Sequence, residues 1–331
     1  MKSIYATILG PSDGGAGPPY LPRALALTAS LMRHNRTAEF AFFCIDPQAA
    51  RILESLALPR CRVYRESEFA GATLLSLRGK RPISEYCWTA KSFALEHLLT
   101  TNAGLDWVAY VDADMLFFGD PDIALKDAGA ADFLLTPHRF APEFSQFLPS
   151  AGPFNAGYVA FRASGVGKAA LARWRDLCVE SVSPIATNGT YADQKYLERL
   201  TVEFPAGAGN AHLGLNVGPW NVGQYRVTGS GGQVLLNDTP LLLYHFQSFR
   251  VFARDWLDLY FGEWKLPKDV RDLIYAPYLD ALARAYAVLQ RVAPVDGLGM
   301  APLPAKVRNW LSYAKRIVRG RANLRHYPLF K

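Results

Sequence analysis

The chain has 331 residues, half of them hydrophobic and a fifth charged, which fits a folded protein with a sizeable core and excludes a disordered one. Its formal charge is +7, yet residues 306–331 hold eight Lys or Arg and no Asp or Glu, so the remaining 28 basic and 29 acidic residues nearly cancel. The body of the chain therefore lacks the basic excess of a nucleic-acid binder.

No apolar run reaches the roughly 18–20 residues of a membrane span. The first apolar stretch is too short for a signal peptide and no small-residue cleavage site follows it. Cys44, Cys61, Cys87 and Cys178 form no Cys-x-x-Cys pair. Reduced thiols in a cytoplasmic protein are the expectation.

In chain order, "SIYATIL" (3–9) predicts a strand and "LPRALALTASLMRH" (21–34) a helix with Pro22 near its start. A strand over 39–46, a helix over 47–58 and a short strand over 61–65 follow. A helix over 84–101, with Ser84 as its cap, then leads into "DWVAYVDADMLFFGDP" (106–121). This alternation predicts an α/β fold with a largely parallel sheet. The second half is less regular. It carries strands over 132–137, 156–162 and 240–246, a helix over 165–182, Gly-rich loops over 205–233 and aromatic-rich helical pieces over 249–300. There is no internal repeat and no clean linker.

Ligands of such sheets collect beyond the carboxyl ends of the strands, where Asp112 and Asp114 fall. In an extended strand, residues i and i+2 point the same way, so the two carboxylates would converge across Ala113. Converging carboxylates repel unless one binds a proton or both share a divalent cation. A plain strand-end turn, as in the "GDP" at 119–121, accounts for the motif equally well, so the residues alone leave both readings open.

"YCWTAKSFALEHLL" followed by "VAYVDADMLFFGDP" resembles the retaining glycosyltransferases of the GT-A fold, in particular family 8 and its bacterial relatives, over about residues 3–250. The resemblance implies a mixed, mostly parallel central sheet flanked by helices, with a helical C-terminal extension. It divides the chain into a catalytic domain (1–250), a helical extension (251–300) and a basic amphipathic tail (301–331). The implied reaction moves a sugar from a nucleotide diphosphate sugar, UDP-linked, to a hydroxyl acceptor with retention of configuration. Mn²⁺, or Mg²⁺, would bridge the donor diphosphate.

Carried over position by position, the family pattern gives Asp112, Asp114 and His245 as the metal set. It puts Gln194 close to the anomeric carbon and Asp193 on sugar hydroxyls. Asn155 and Gly157 of "NAG" fall near donor sugar and acceptor, and Lys91 faces the donor. Thr7 meets the base, with Asp13 beside it. Two departures stand out: Ser248 replaces the usual Gly after the His, and Arg250 replaces the usual Lys.

Read without the family, these residues have blander roles: a turn at Asn155–Gly157, a helix-start charge at Asp193, a core imidazole at His245 and a solvated Lys91. Trp220, between Asn216 and Asn221, is either a sugar-stacking ring or a buried loop anchor. A sugar nucleotidyltransferase and a non-catalytic glycan-binding protein are the alternatives. The first normally needs a basic Gly-rich loop, and "GPSDGGAGPP" has no Lys or Arg.

At 100° per residue, "AKVRNWLSYAKRIVRG" (305–320) places Val307, Trp310, Leu311, Ala314, Ile317 and Val318 on one stripe and Arg308, Lys315, Arg316 and Arg319 opposite. This is the pattern of a helix lying on an anionic membrane, at the inner face of the cell membrane. The other reading is a docked helix with a solvated basic face. No nucleic-acid partner is expected.

Overall fold

A computed structural model describes residues 1–11, 18–186, 189–209, 211–253, 256–262, 264–293 and 307–329. Strands β1 (Ser3–Leu9), β2 (Glu39–Cys44), β3 (Cys61–Arg65) and β4 (Trp107–Val111) run parallel, joined by helices α1 (Leu21–His34), α2 (Pro47–Leu56) and α3 (Ile83–Thr101). After β5 (Met115–Phe117), the strands β6 (Phe133–Pro137), β7 (Phe154–Arg162) and β8 (Ala208–Gly209) extend the same sheet. Its order is β3-β2-β1-β4-β7-β6-β8, with β7 antiparallel to both neighbours. This is the mixed, mostly parallel sheet expected from the sequence.

Every residue of β1 is buried, because the sheet is covered on both faces. Tyr5 and Leu9 pack into a core with α1, α2 and the later helix α5 (Ala276–Val292). Ile4, Ala6 and Ile8 point the other way, against α3 and α4 (Gly165–Glu180).

Two pairings build the functional corner. β7 runs back along β4, and Asp112 N–H donates to Gly157 O at 2.8 Å just past the end of β4. Beyond a small antiparallel sheet of β9 (Val227–Ser230), β10 (Gln233–Leu236) and β11 (Thr239–Pro240), strand β12 (Leu243–His245) pairs with β5. Its register sets His245 opposite Met115, beside Asp114. Phe246, next in the chain, is clamped between Tyr275 and a stacked Tyr278 at the head of α5, 3.7 Å between centroids.

Some local expectations change. α3 begins at Ile83 behind Pro82, and Ser84 does not cap it; the fixed φ of proline starts the helix instead. α2 stops at Leu56, and its start is held by Asp46, whose carboxylate accepts from Gln48 N and Ala49 N. The strand expected over 240–246 is only Leu243–His245. Asp193 and Gln194 lie in a turn rather than at a helix start, since the next helix begins at Leu197.

The C-terminal helix forms as α6 (Val307–Val318), but it docks through Tyr313 and Arg316 and not through the expected apolar stripe. Arg316 is buried and ion-paired to fully buried Asp258 at 2.7 Å, and Tyr313 is buried beside it. Leu311, Ile317 and Val318, from the apolar stripe, are exposed. The docked face is held by the Asp258 carboxylate on Arg316 together with the ring of Phe261 against Tyr313. β15 (Leu324–His326) completes the attachment by pairing with β14 (Trp256–Asp258), itself paired with β13 (Arg250–Ala253).

Candidate functional site

Asp112 and Asp114 follow the last residue of β4, in a turn closed by Met115 N–H on Asp112 O at 3.2 Å. They converge because of this turn, and the extended pleat expected from the sequence is not what aims them. Ligand atoms of Asp112, Asp114 and His245 lie within 4.8 Å of one another. His245 Nε2 stands 3.2 Å from Asp114 Oδ1 and 4.0 Å from Asp112 Oδ2. Two hard carboxylates and an imidazole suit Mn²⁺ or Mg²⁺. Among the described residues, buried His245 Nδ1 has no hydrogen-bond partner.

Gly157 makes room for that ring. A Cβ there would stand 2.8 Å from His245 Cε1, 2.6 Å from Met115 Cε and 2.7 Å from Asn155 Oδ1. On the other side, Trp220 meets the imidazole edge to face at 5.3 Å. Trp220 is 5% exposed and its Nε1 donates to His138 O, so it is the loop anchor and offers no face to a sugar.

Lys91 leaves α3 for the interior and is buried. Its Nζ lies 3.2 Å from Asp112 Oδ1 and 3.1 Å from Asp193 Oδ2, and donates to Ala156 O at 3.3 Å. Burial alone would lower its pKa, but the two carboxylates outweigh it and hold Lys91 above its ordinary value. The reading of a solvated helix lysine is thus excluded. Burial raises Asp193, with Lys91 opposing. Asp114 is raised by burial but lowered more by His245 and Arg23, ending at about 2. His245 is lowered by burial, yet Asp114 carries it above its ordinary value.

The amide of Asn155 is fixed at every atom. Its Oδ1 accepts from Gly157 N at 2.9 Å and from Asn216 Nδ2 at 3.0 Å, while its Nδ2 faces His138 Nε2 at 3.3 Å. His138 Nδ1 lies 2.8 Å from Gly152 O, which makes Nδ1 the protonated nitrogen and leaves Nε2 to accept. Burial lowers the His138 pKa to about 4, so the ring stays neutral. Asn221 Nδ2 also donates to His138 O.

Asp193 follows Ala192, whose φ of 48° bends the chain, and its own carbonyl accepts from Trp174 Nε1 at 2.9 Å. Gln194 Nε2 donates to Ala151 O at 3.0 Å. Thr7 is fully buried in β1, and its Oγ1 has no partner among the described residues. Arg250 lays its guanidinium over Phe261 at 3.7 Å. Ser248 holds a φ of 62°, a left-handed conformation that suits the glycine expected here from the family resemblance. Asp13 lies outside the described residues.

Arg23, His138 and Tyr110 belong to the site and were missed in the sequence. Arg23 Nη1 sits 4.0 Å from Asp114 Oδ2, and Tyr110 lies under Lys91 at 4.6 Å. Only "TPHRF" at a strand end offered a signal, for His138; Arg23 looks like any basic residue in a first helical turn.

No family model matches this sequence. Uncharacterized protein YfnF of Bacillus subtilis (strain 168) is 29% identical over 260 residues, 76% of this chain and 84% of that protein. YfnD of the same strain is 27% identical over 282 residues, 85% of this chain and 91% of that protein. Among solved structures, galactosyltransferase LgtC in complex with donor and acceptor sugar analogs superposes with a TM-score of 0.50 at 17% identity, over 86% of this chain and 96% of that one. The bifunctional glycosyltransferase WbbM superposes with a TM-score of 0.51 at 12% identity, over 88% of this chain and 51% of that one. The chain has the GT-A fold of these glycosyltransferases.

Proposed function

We propose that the protein is a glycosyltransferase that moves a sugar from a nucleotide diphosphate sugar, UDP-linked, to a hydroxyl acceptor with retention. The observation that carries this reading is the Asp112–Asp114–His245 cluster, bridged through Lys91 to Asp193, at the end of β4 in a GT-A fold. Bound there, Mn²⁺ or Mg²⁺ supplies positive charge against the negative charge that grows on the departing diphosphate.

The chain's own residues do the rest. Lys91 holds Asp112 and Asp193 in fixed positions, one toward the metal and one toward the sugar hydroxyls. Asn155, its amide locked by His138 and Asn216, presents a pre-oriented contact to donor or acceptor. Gln194 is oriented by Ala151 O, so Oε1 is the end turned to the electron-poor anomeric centre. An amide is a weak nucleophile, which favours entry of the acceptor hydroxyl on the face the diphosphate leaves; Asp193 is the better candidate for a covalent route. Lys91 is committed to both aspartates and Thr7 remains the proposed base contact, while Arg250, the diphosphate contact expected from the sequence, lies with its guanidinium over Phe261.

The exposed Leu311, Ile317 and Val318 of α6, with exposed Lys315 and Arg319, are proposed to touch an anionic bilayer. No helix among the described residues is long and apolar enough to cross one. Vesicle flotation of the wild type against a Leu311→Ser/Val318→Ser variant tests the contact.

A thermal-shift and hydrolysis screen of nucleotide sugars with and without Mn²⁺ tests the activity. Stabilisation and turnover with one UDP-sugar, dependent on Mn²⁺ and lost in Asp112→Ala, are expected. No response to any nucleotide sugar would overturn the reading.

A further inference from the structure

Arg23 has no role in the assignments above, yet its guanidinium is held at the metal cluster. Its side chain is 12% exposed. It lies between the rings of Tyr20 and Phe249, 5.1 and 5.5 Å from their centroids, and Nη2 donates to Phe249 O at 3.0 Å. So positioned, Nη1 stops 4.0 Å short of Asp114 Oδ2, beyond hydrogen-bond length, while Asp114 Oδ1 serves His245.

A buried guanidinium that exists only to neutralise a carboxylate closes on it. Arg316 does so with Asp258 at 2.7 Å. Arg23 is instead set back from its carboxylate by a gap, next to a site whose chemistry calls for a cation on that same carboxylate. A divalent cation on that carboxylate together with Arg23 and Lys91 would leave a local excess of positive charge, which an anionic group of the donor would offset. The other cations nearby are committed: Lys91 to Asp112, Asp193 and Ala156 O, and Arg250 to the face of Phe261.

We propose that Arg23 anchors the diphosphate of the donor, its guanidinium fork binding a phosphoryl oxygen beside the Asp112–Asp114–His245 cluster. The proposal rests on the nucleotide-sugar reading above. It assigns the diphosphate contact to the first turn of α1 rather than to the segment after His245.

Calorimetry separates this from a structural role. UDP is titrated into wild type, Arg23→Ala and Arg23→Lys at saturating Mn²⁺, and Mn²⁺ alone is titrated into each. Loss of a charge-assisted bond to phosphate is expected to weaken UDP by about 10- to 100-fold in Arg23→Ala, with Arg23→Lys in between. Mn²⁺ alone is expected to bind Arg23→Ala as tightly as wild type or tighter, because a like charge has been removed. If Arg23 merely props Asp114 and Phe249, Mn²⁺ and UDP weaken together, and the proposal fails. It fails also if both variants bind UDP as the wild type does. Should Arg23→Ala not fold, the same comparison is made on Arg23→Lys, which keeps the charge and loses the fork. A wild type that binds neither UDP nor any other nucleoside diphosphate with Mn²⁺ removes the functional reading itself, a result distinct from the two failures above.

Discussion

The corner at His245 and the attachment of α6 at Arg316 are built from the same ingredients, buried cations against buried carboxylates, and they end in different states. Arg316 is fully answered: Nη1 meets Asp258, Nε donates to Gly262 O, Nη2 donates to Tyr260 O, and Phe261 covers the guanidinium at 4.6 Å. At the other corner Asp112 and Asp193 share Lys91, Asp114 has His245 at 3.2 Å, Arg23 stands off at 4.0 Å, and His245 Nδ1 has no partner among the described residues. A satisfied ion pair specifies how an element docks. An unsatisfied one marks where something else is meant to bind.

The sharpest way to break this contrast is Asp112→Asn. It is expected to lower metal-dependent sugar transfer by about 10²- to 10³-fold, read in a coupled assay of released nucleotide. It should cost less stability than Asp258→Asn, which strands Arg316. For Asp258→Asn we expect a loss of about 3–5 kcal/mol in urea unfolding, with Mn²⁺ affinity unchanged.

Acid separates the two corners next. His138 titrates near 4 in the folded chain against an ordinary 6.5. The unfolded chain therefore binds the extra proton first, and stability is lost as pH falls from about 6.5 towards 4, by about 3 kcal/mol. His138→Gln should flatten that part of a midpoint-versus-pH curve. At the other corner burial holds the Asp258 carboxyl above its ordinary value against the opposing Arg316, so the folded chain takes up that proton first and this corner adds nothing to the loss.

Mn²⁺ at 100 times its dissociation constant should stabilise the wild type by about 2.7 kcal/mol, a shift of several degrees in melting temperature that Asp114→Asn abolishes. The smallest effect belongs to the outward face of α6. Val318→Ser, at a position 87% exposed, is expected to move stability by less than about 0.5 kcal/mol in urea.

Much of the fold was legible in the sequence because the alternation of strand and helix over residues 3–111 is local. The carboxylate pair was legible too, since Asp-x-Asp directly follows an apolar run. What aims the pair was not, because a strand pattern does not show the local turn that Met115 N–H closes on Asp112 O, and the β5–β12 register depends on residues 130 positions away. His245 was reached through the family resemblance; its spacing alone reads as a core residue. Lys91 could be placed on a helix but not inside it, for its burial depends on two aspartates from separate segments. The docked face of α6 was misjudged for a like reason. A helical wheel weighs the helix and knows nothing of Asp258.

That last pair bears on how the protein can be handled. A shortened form that stops before residue 316, made to shed the greasy basic end, would take the Arg316 partner from Asp258 and strip β15 from the edge of β14. Trimming meant to improve behaviour in solution would loosen the strands beside the segment that carries His245, so any truncation is better made beyond Leu329, which is buried in the core past β15.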